Sequence, residues 1–442
     1  MKKKQHAIIL ANHKEDQMKS ELSVYQHLIC GRPMIDYALE TVERVGMNQV
    51  IVATDLANQE WARDLNESAS HVSVMDVTNA QTMNDSFSDQ EGITLILQGN
   101  MPMIQSTTLR ELVKLHQQSD AKATVLMDQP VSVGNHLQVV SPIQSNEQRA
   151  NQIAEQTATE RQTVVYCLDN DIWMNKASMF RDINDVEALV QSLDTNNVQE
   201  IQTTHPFEGT KINTRIDLAH VTQLIQKQIN TEHMLNGVTM IHPETAAIEW
   251  GVTIGTDTVI ESHVTLKGKT SIGTNCVITQ GSRIEDSQIG DRVIIKQSVV
   301  EESLVESDSD MGPFAHLRPN SRIGTHVHLG NFVEIKNSSI GEGTKVGHLT
   351  YVGDAQLGRF INIGSGTNFV NYNGKTKAQT TIGDHAFIGC DTSLVAPVNV
   401  GKGSFTAAGS VITEDVPDNS LAIARNRQIN KINYANGMPH NQ

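Results

Sequence analysis

The sequence predicts two folds in series, an α/β domain with a mainly parallel sheet followed by a parallel β-helix of triangular section. Three observations carry that prediction. Short β-branched runs alternate with helical patterns through the first ~200 residues. From Ile248 to Ile284 an aliphatic residue recurs at every sixth position, and the series resumes further on. The composition, 38% hydrophobic but only 4% aromatic over 442 residues, suits cores packed with small aliphatic side chains.

Strands are expected at 6–10 (HAIIL), 49–53 (QVIVA), 71–75 (HVSVM), 94–98 (TLILQ) and 123–128 (ATVLMD). Between them, 33–44 opens on Pro33 and places Ile35, Leu39 and Val42 on one helical face. Segment 106–118 opens on Ser106 and Thr107 and carries Leu109, Leu112, Val113 and His116 in a stripe. A further helix at 217–235, with Leu218, Val221, Leu224 and Ile225 aligned, reads as a connector. The predicted organisation is therefore 1–216 for the α/β domain, 217–245 for the linker helix, 246–413 for the solenoid and 414–442 for a C-terminal arm.

The solenoid rests on Ile248, Ile254, Ile260, Leu266, Ile272, Ile278 and Ile284, spaced six apart. The series resumes as Leu317, Ile323, Leu329 and Ile335, then as Ile382, Ile388, Leu394 and Val400. An α-helix cannot keep a period of six on one face, and a simple strand alternates at two. Three short strands per coil, each giving one inward aliphatic beside a tight corner, fit the spacing, with about nine coils of about 18 residues. The period breaks at 304–312 (LVESDSDMG) and at 371–380 (NYNGKTKAQT), and both breaks are expected to be inserted loops.

Composition also excludes. With 34 Lys+Arg against 50 Asp+Glu, the net charge of −16 argues against nucleic acid as a partner. Four scattered cysteines without CxxC pairing indicate neither a zinc site nor a disulfide framework. The opening MKKKQHAIIL lacks the apolar core of a signal peptide, and no stretch approaches the ~18 apolar residues of a membrane span. A soluble cytoplasmic protein without membrane insertion is expected.

A hexapeptide solenoid resembles the left-handed β-helix acyltransferases, most of which use acetyl- or acyl-CoA and form trimers. The stretches GPFAHLRP (312–319), GNFVEIKNSSIG (330–341), GHLTYVGDAQLG (347–358), NIGSGT (362–367), NYNG (371–374) and FIGCDTSLVAPV (387–398) narrow the resemblance. They are similar to the acetyltransferase half of the bifunctional enzyme family that makes UDP-N-acetylglucosamine. The resemblance covers the whole chain, strongly after residue 245 and weakly before it. It implies a nucleotidyltransferase-like (Rossmann-like) first domain and a left-handed parallel β-helix second. It further implies transfer of acetyl from acetyl-CoA to the amine of glucosamine 1-phosphate, at sites between the subunits of a homotrimer.

The resemblance assigns roles that the chemistry can check. The amine arrives as an ammonium ion and must lose a proton before attacking a thioester, work that suits an imidazole. His348 stands at the family's general base, and Glu334 at an acidic residue that would orient or polarise it. Arg318, Lys336, Tyr351 and Lys377 match the phosphate and sugar contacts, where a guanidinium grips oxygens bidentately and an ammonium acts as a point charge. Asn362 and Asn371 match positions lining the acceptor. Positions for acetyl-CoA fall on Ser365, Asn371, Tyr372, Cys390, Ala408 and Arg425. Ser365 stands in for a small apolar residue and Cys390 for a serine, so tuned affinity is expected rather than loss. Transfer without an acyl-enzyme requires no metal.

The first domain departs from the family pattern. A uridylyltransferase of this kind opens on a glycine-rich turn, LAAGxGTRM, whose backbone N–H groups cradle triphosphate. Here the stretch reads LANHKEDQM, with His13 in place of a glycine and Glu15 and Asp16 where phosphates would approach. Gln17, Ser23 and Val24 replace the arginine, proline and lysine. The uracil-side loop has become QTMND (81–85), and the aspartate expected to hold Mg²⁺ is Asn100. The NTG motif is read at Asn170 and Asp171, and Asn213 survives alone as a metal-side position. The expectation is a catalytically inactive first half, with Mg²⁺ a cofactor only if that half is active. Three other readings stay open. They are a fully bifunctional enzyme, an acetyltransferase for another amino sugar, and a non-catalytic trimeric scaffold or regulatory protein.

Overall fold

The computed structural model describes residues 4–12, 17–55, 61–62, 65, 72–76, 92–128, 163–172, 186–203 and 205–437. It divides into two compact units, Met1–Ile225 and Gln226–Gln442.

In the first unit a seven-stranded sheet runs through β1 (Lys4–Leu10), β2 (Gln49–Thr54), β3 (Val72–Asp76), β4 (Gly92–Gln98), β5 (Ala123–Met127), β6 (Thr163–Asp169) and β7 (Val198–Gln202). Its order is β3-β2-β1-β4-β6-β5-β7. All neighbours pair in parallel except β6, which runs antiparallel to both β4 and β5. The five predicted strands and the two predicted helices, α1 (Met34–Val45) and α2 (Ser106–Gln118), fall within a few residues of their expected bounds. α1 ends where Gly46 takes φ 88°, a left-handed conformation that glycine adopts without a steric cost. Strands β6 and β7 and the short helix α3 (Val186–Gln191) had no counterpart in the sequence reading.

Alternate side chains of each strand feed two cores, as the pleat requires. Ala7 and Ile9 of β1 pack with Ile35, Ala38 and Val42 of α1 and with Leu109, Leu112 and Val113 of α2. Ile8 and Leu10 face the other side, with Val186, Leu189 and Val190 of α3. The helix α4 (Arg215–Leu235) buries Val221, Ile225 and Ile229.

The second unit is the solenoid. One face is a nine-stranded parallel sheet, and the other two faces are linked in a nineteen-stranded ladder. The stacked parallel faces agree with the left-handed β-helix expected. Inward aliphatics pair directly from coil to coil: Ile260 with Ile278, Ile278 with Ile295, Ile295 with Met311 and Met311 with Leu329. Those steps are 18, 17, 16 and 18 residues, so the two coils between Ile278 and Met311 are shorter than the hexad average. This corrects the reading of 304–312 as an inserted loop. Leu304–Val305 and Asp310–Met311 are strands of a continuous stack, and the period broke because corners lost residues. The other break is an insertion, since Ile363 pairs with Ile388 and that coil spans 25 residues.

Corners turn on residues with positive φ, among them Asn275, Asp308, Asn320 and Asn337, whose short polar side chains tolerate that conformation. One column of corners instead carries Phe314, Phe332 and Leu349, with φ 59°, 58° and 47°, all more than half exposed. The rings of Phe314 and Phe332 stack at 5.5 Å. Among the described residues no helix is long and apolar enough to cross a membrane.

Candidate active site

Two long strands build the site. Residues His328–Lys336 and Lys345–Gly353 each bend around the corner that carries Phe332 and Leu349, and they pair along their length. The register sets Asn331 against His348 before the corner and Glu334 against Tyr351 after it. Gly330 makes this approach feasible, because a Cβ there would sit 1.7 Å from the carbonyl oxygen of Gly347.

His348 is exposed at the corner. Its Nδ1 lies 2.6 Å from Oδ1 of Asn331. One and two coils further along, the same corner position is held by Ser365 and Cys390, and a third coil places Ala408 there. The pairs Val346–Ile363, Ile363–Ile388 and Ile388–Thr406, each two residues before those positions, fix that alignment. The backbone bonds Asp391 N to Ser365 O, at 2.7 Å, and Gly409 N to Cys390 O, at 2.8 Å, tie the coils at the corner. Arg425 comes next, its Cδ 3.8 Å from the Cβ position of Gly409. Four of the residues expected to hold acetyl-CoA thus form a file that begins at His348, with small side chains at a coil spacing of about 4.8 Å. This track, small side chains from half-exposed Ser365 to exposed Cys390 and Ala408 with Arg425 at its end, fits a long thin thioester.

Around the corner lies the charged part. Arg318 donates from Nη1 to Glu334 Oε1 at 2.9 Å, and the carboxylate holds the guanidinium above its ordinary pKa. The Lys336 ammonium is held below its ordinary value, first by Lys377 and then by Arg318. Three cations therefore crowd one another, an arrangement that an anion would relieve. Asp354 ties this cluster to the inserted loop, accepting from Asn337 Nδ2 at 2.6 Å and from Asn371 Nδ2. Asn371 Nδ2 also reaches Tyr351 Oη at 3.4 Å. Tyr372, exposed, donates its hydroxyl to Gly374 O at 2.8 Å.

Two expectations change within this chain. Glu334 pairs with Arg318 rather than orienting His348, because the corner turns them onto adjoining faces; Asn331 holds the histidine instead. Asn362 lies in register with Lys345 and Phe387 on the face before the corner, away from Arg318, Lys336 and Lys377. Sequence reasoning missed Asn331 and Asp354. Both stand inside the motifs that carried the resemblance, but only the register shows what they touch.

In the first unit, residues 13–16 and 81–85 lie outside the described residues. Asn100 follows β4 and is buried, its Nδ2 donating to Ile212 O at 3.1 Å and to Asn213 Oδ1 at 3.0 Å. The amide nitrogen faces both carbonyl oxygens, while Asn100 Oδ1 is buried without a hydrogen-bond partner. Two neutral amides bring no carboxylate to this position, which makes it a poor fit for Mg²⁺, a cation that takes carboxylate and phosphate oxygens. Among the described residues no group of three or more His, Cys, Asp or Glu side chains could hold a metal.

Asn170 and Asp171 do not belong to that site. Ile93, at the start of β4, pairs antiparallel with Asp169, so both residues lie at the end of the sheet opposite Asn100. A seven-residue strand, about 20 Å, separates the two ends. There Asn170 Oδ1 accepts from Thr94 at 2.8 Å, and Asp171 pairs with Lys122 at 3.4 Å. The unpredicted antiparallel strand β6 reversed the direction in which the motif had been placed.

Comparison with known proteins follows the same division. A model of the cytidylyltransferase family matches residues 26–229. The chain is 41% identical over 469 residues to the bifunctional protein GlmU of Enterococcus faecalis, covering 98% of each. It is 38% identical to the bifunctional protein GlmU of Listeria monocytogenes serotype 4b over 99% of each, and to that of Brevibacillus brevis over 98% of each. Similar to these relatives from end to end, the chain belongs to the family of bifunctional GlmU proteins.

Proposed function

We propose that the solenoid is an acetyltransferase that moves acetyl from acetyl-CoA to the amine of glucosamine 1-phosphate. The product, N-acetylglucosamine 1-phosphate, would serve UDP-N-acetylglucosamine synthesis in the cytoplasm. The observation that carries this reading is the file His348, Ser365, Cys390, Ala408 and Arg425, which begins one corner away from the cations Arg318, Lys336 and Lys377. A thioester lying along the file ends at the histidine, and a sugar phosphate held by the cations brings its amine there.

His348 takes one proton from the ammonium, and the freed nitrogen attacks the thioester carbonyl. The C–N bond forms and the C–S bond breaks. Coenzyme A leaves as thiolate and collects the proton that the imidazolium holds, while the attacking nitrogen sheds its second proton to solvent as the amide forms, so one proton is released per turnover. Arg318, with Glu334 keeping its fork in place, grips the phosphate, while Lys336 and Lys377 add charge. Tyr351, Asn371 and Tyr372 border the loop side, and Asn362 is offered to the acceptor of a neighbouring subunit. That last role requires an oligomer. The exposed corner of Phe314, Phe332 and Leu349 beside the histidine supports a homotrimer with sites at subunit boundaries.

The first half is proposed to transfer no nucleotide, because a neutral amide, Asn100, donating to Asn213, stands where a carboxylate would hold the cation. Two assays test the whole. Thiol release from acetyl-CoA with glucosamine 1-phosphate should occur with the native protein and fall by about 100-fold or more with His348→Ala. Undiminished release by the variant would remove the base. Pyrophosphate release from UTP, Mg²⁺ and N-acetylglucosamine 1-phosphate should stay at background, and turnover there would restore the bifunctional reading.

A further inference from the structure

We infer that Asn331 is the positioning residue for His348, selecting the imidazole tautomer that can act as a base. The inference rests on the acetyltransferase reading and adds to it which group prepares the histidine. Asn331 and His348 are register partners on adjacent coils, and Asn331 Oδ1 stands 2.6 Å from His348 Nδ1. A carboxamide oxygen only accepts, so Nδ1 must carry the hydrogen. The proton of a neutral imidazole then sits on Nδ1, and Nε2 keeps its lone pair for the incoming ammonium.

The local backbone fixes this pairing. Both side chains precede a corner residue of positive φ, Phe332 and Leu349, so the two strands bend together. Gly330 admits the close approach one residue earlier, where any side chain would meet the Gly347 carbonyl. Thr350 Oγ1 donates to the His348 carbonyl at 2.7 Å and pins the base's own backbone. Glu334 lies beyond the corner and is engaged by Arg318, which leaves it unsuited to the task. The neighbours of His348 in its own file, Asn331 and Ser365, are both uncharged. The group that orients the imidazole is thus a neutral amide.

The test compares the native protein with Asn331→Leu and Asn331→Asp. Asn331→Leu keeps the volume and removes the acceptor. It should lower kcat about 10–100-fold, the scale of losing a group that fixes a histidine's tautomer, with KM for both substrates within about threefold. Asn331→Asp keeps an acceptor and should recover most of kcat. It should also move the acidic limb of the kcat profile to higher pH, because an adjacent carboxylate favours the imidazolium. Full kcat in Asn331→Leu, or an Asn331→Asp variant as slow as Asn331→Leu, overturns the inference.

A second readout does not depend on turnover. Nitrogen-15 NMR of the resting native protein above the imidazole pKa should show His348 protonated at Nδ1, and Asn331→Leu should show mixed tautomers. An Nε2-protonated histidine in the native protein also overturns the inference. Failure of the native protein to acetylate glucosamine 1-phosphate sinks the functional reading alone, since the NMR result still stands or falls by itself.

Discussion

Lys336 carries the clearest electrostatic consequence at the scale of single residues. Its ammonium is depressed by Lys377 and Arg318, so the charged form is lost at a lower pH than for an isolated lysine. In the proposed function phosphate binding needs that charge. KM for glucosamine 1-phosphate should therefore climb as pH rises through the depressed pKa. Lys377→Met removes the larger repulsion, so the climb should shift to higher pH even as the remaining affinity falls. A pH series of KM for both proteins checks this, and an unmoved limb would mean that Lys336 does not meet the phosphate. Arg318→Lys keeps charge but loses the planar fork shared with Glu334, and should raise KM for the sugar phosphate about tenfold while sparing that for acetyl-CoA. Most of these residues were legible as letters in familiar stretches. Their partnerships were not, because a pairing such as Arg318 with Glu334 links residues one coil apart and depends on which side of a corner each occupies.

Coils and strands show where pattern reading works and where it stops. The six-residue aliphatic repeat revealed the solenoid because each inward side chain is a separate requirement of a dry, narrow core. It failed between Ile284 and Leu317, although Ile289, Ile295, Val300, Val305 and Met311 are all buried there. With strands only two residues long, a corner can drop a residue without moving the inward aliphatic off its stack. In the first unit, β6 went unseen because its seven residues carry none of the strand–helix alternation that marks parallel units. Close approach offers a contrast to test at this scale. Gly330→Ala would drive a methyl group into the Gly347 carbonyl, whereas a Cβ at Gly347 meets nothing within 4 Å. Chemical denaturation should find the first destabilised at the upper end of roughly 1–3 kcal/mol or beyond, and the second close to the native protein. Leu317→Ala, in the buried stack, should cost about 2–5 kcal/mol.

For the molecule as a whole, the proposed reading gives the two units different roles within one family frame. The solenoid carries the proposed base, a cation cluster and the proposed donor track, while the first unit has its sheet and both cores, with Asn100 donating to Asn213 after β4. Association is the property to measure. Sedimentation should give three times the 48.6 kDa chain mass, and Phe332→Arg together with Leu349→Arg should yield monomers that release little thiol. A fully active monomer would refute shared sites. The track also has an arithmetic of its own. Its positions recur about 4.8 Å apart, so adjacent ones touch overlapping parts of a linear ligand, while alternate ones stand roughly 10 Å apart. Losses from paired changes at Ser365 and Ala408 should simply sum, whereas those at Cys390 and Ala408 should deviate from the sum. Affinity for the long donor can then be graded step by step, each rung a separate dial with only its immediate neighbours linked.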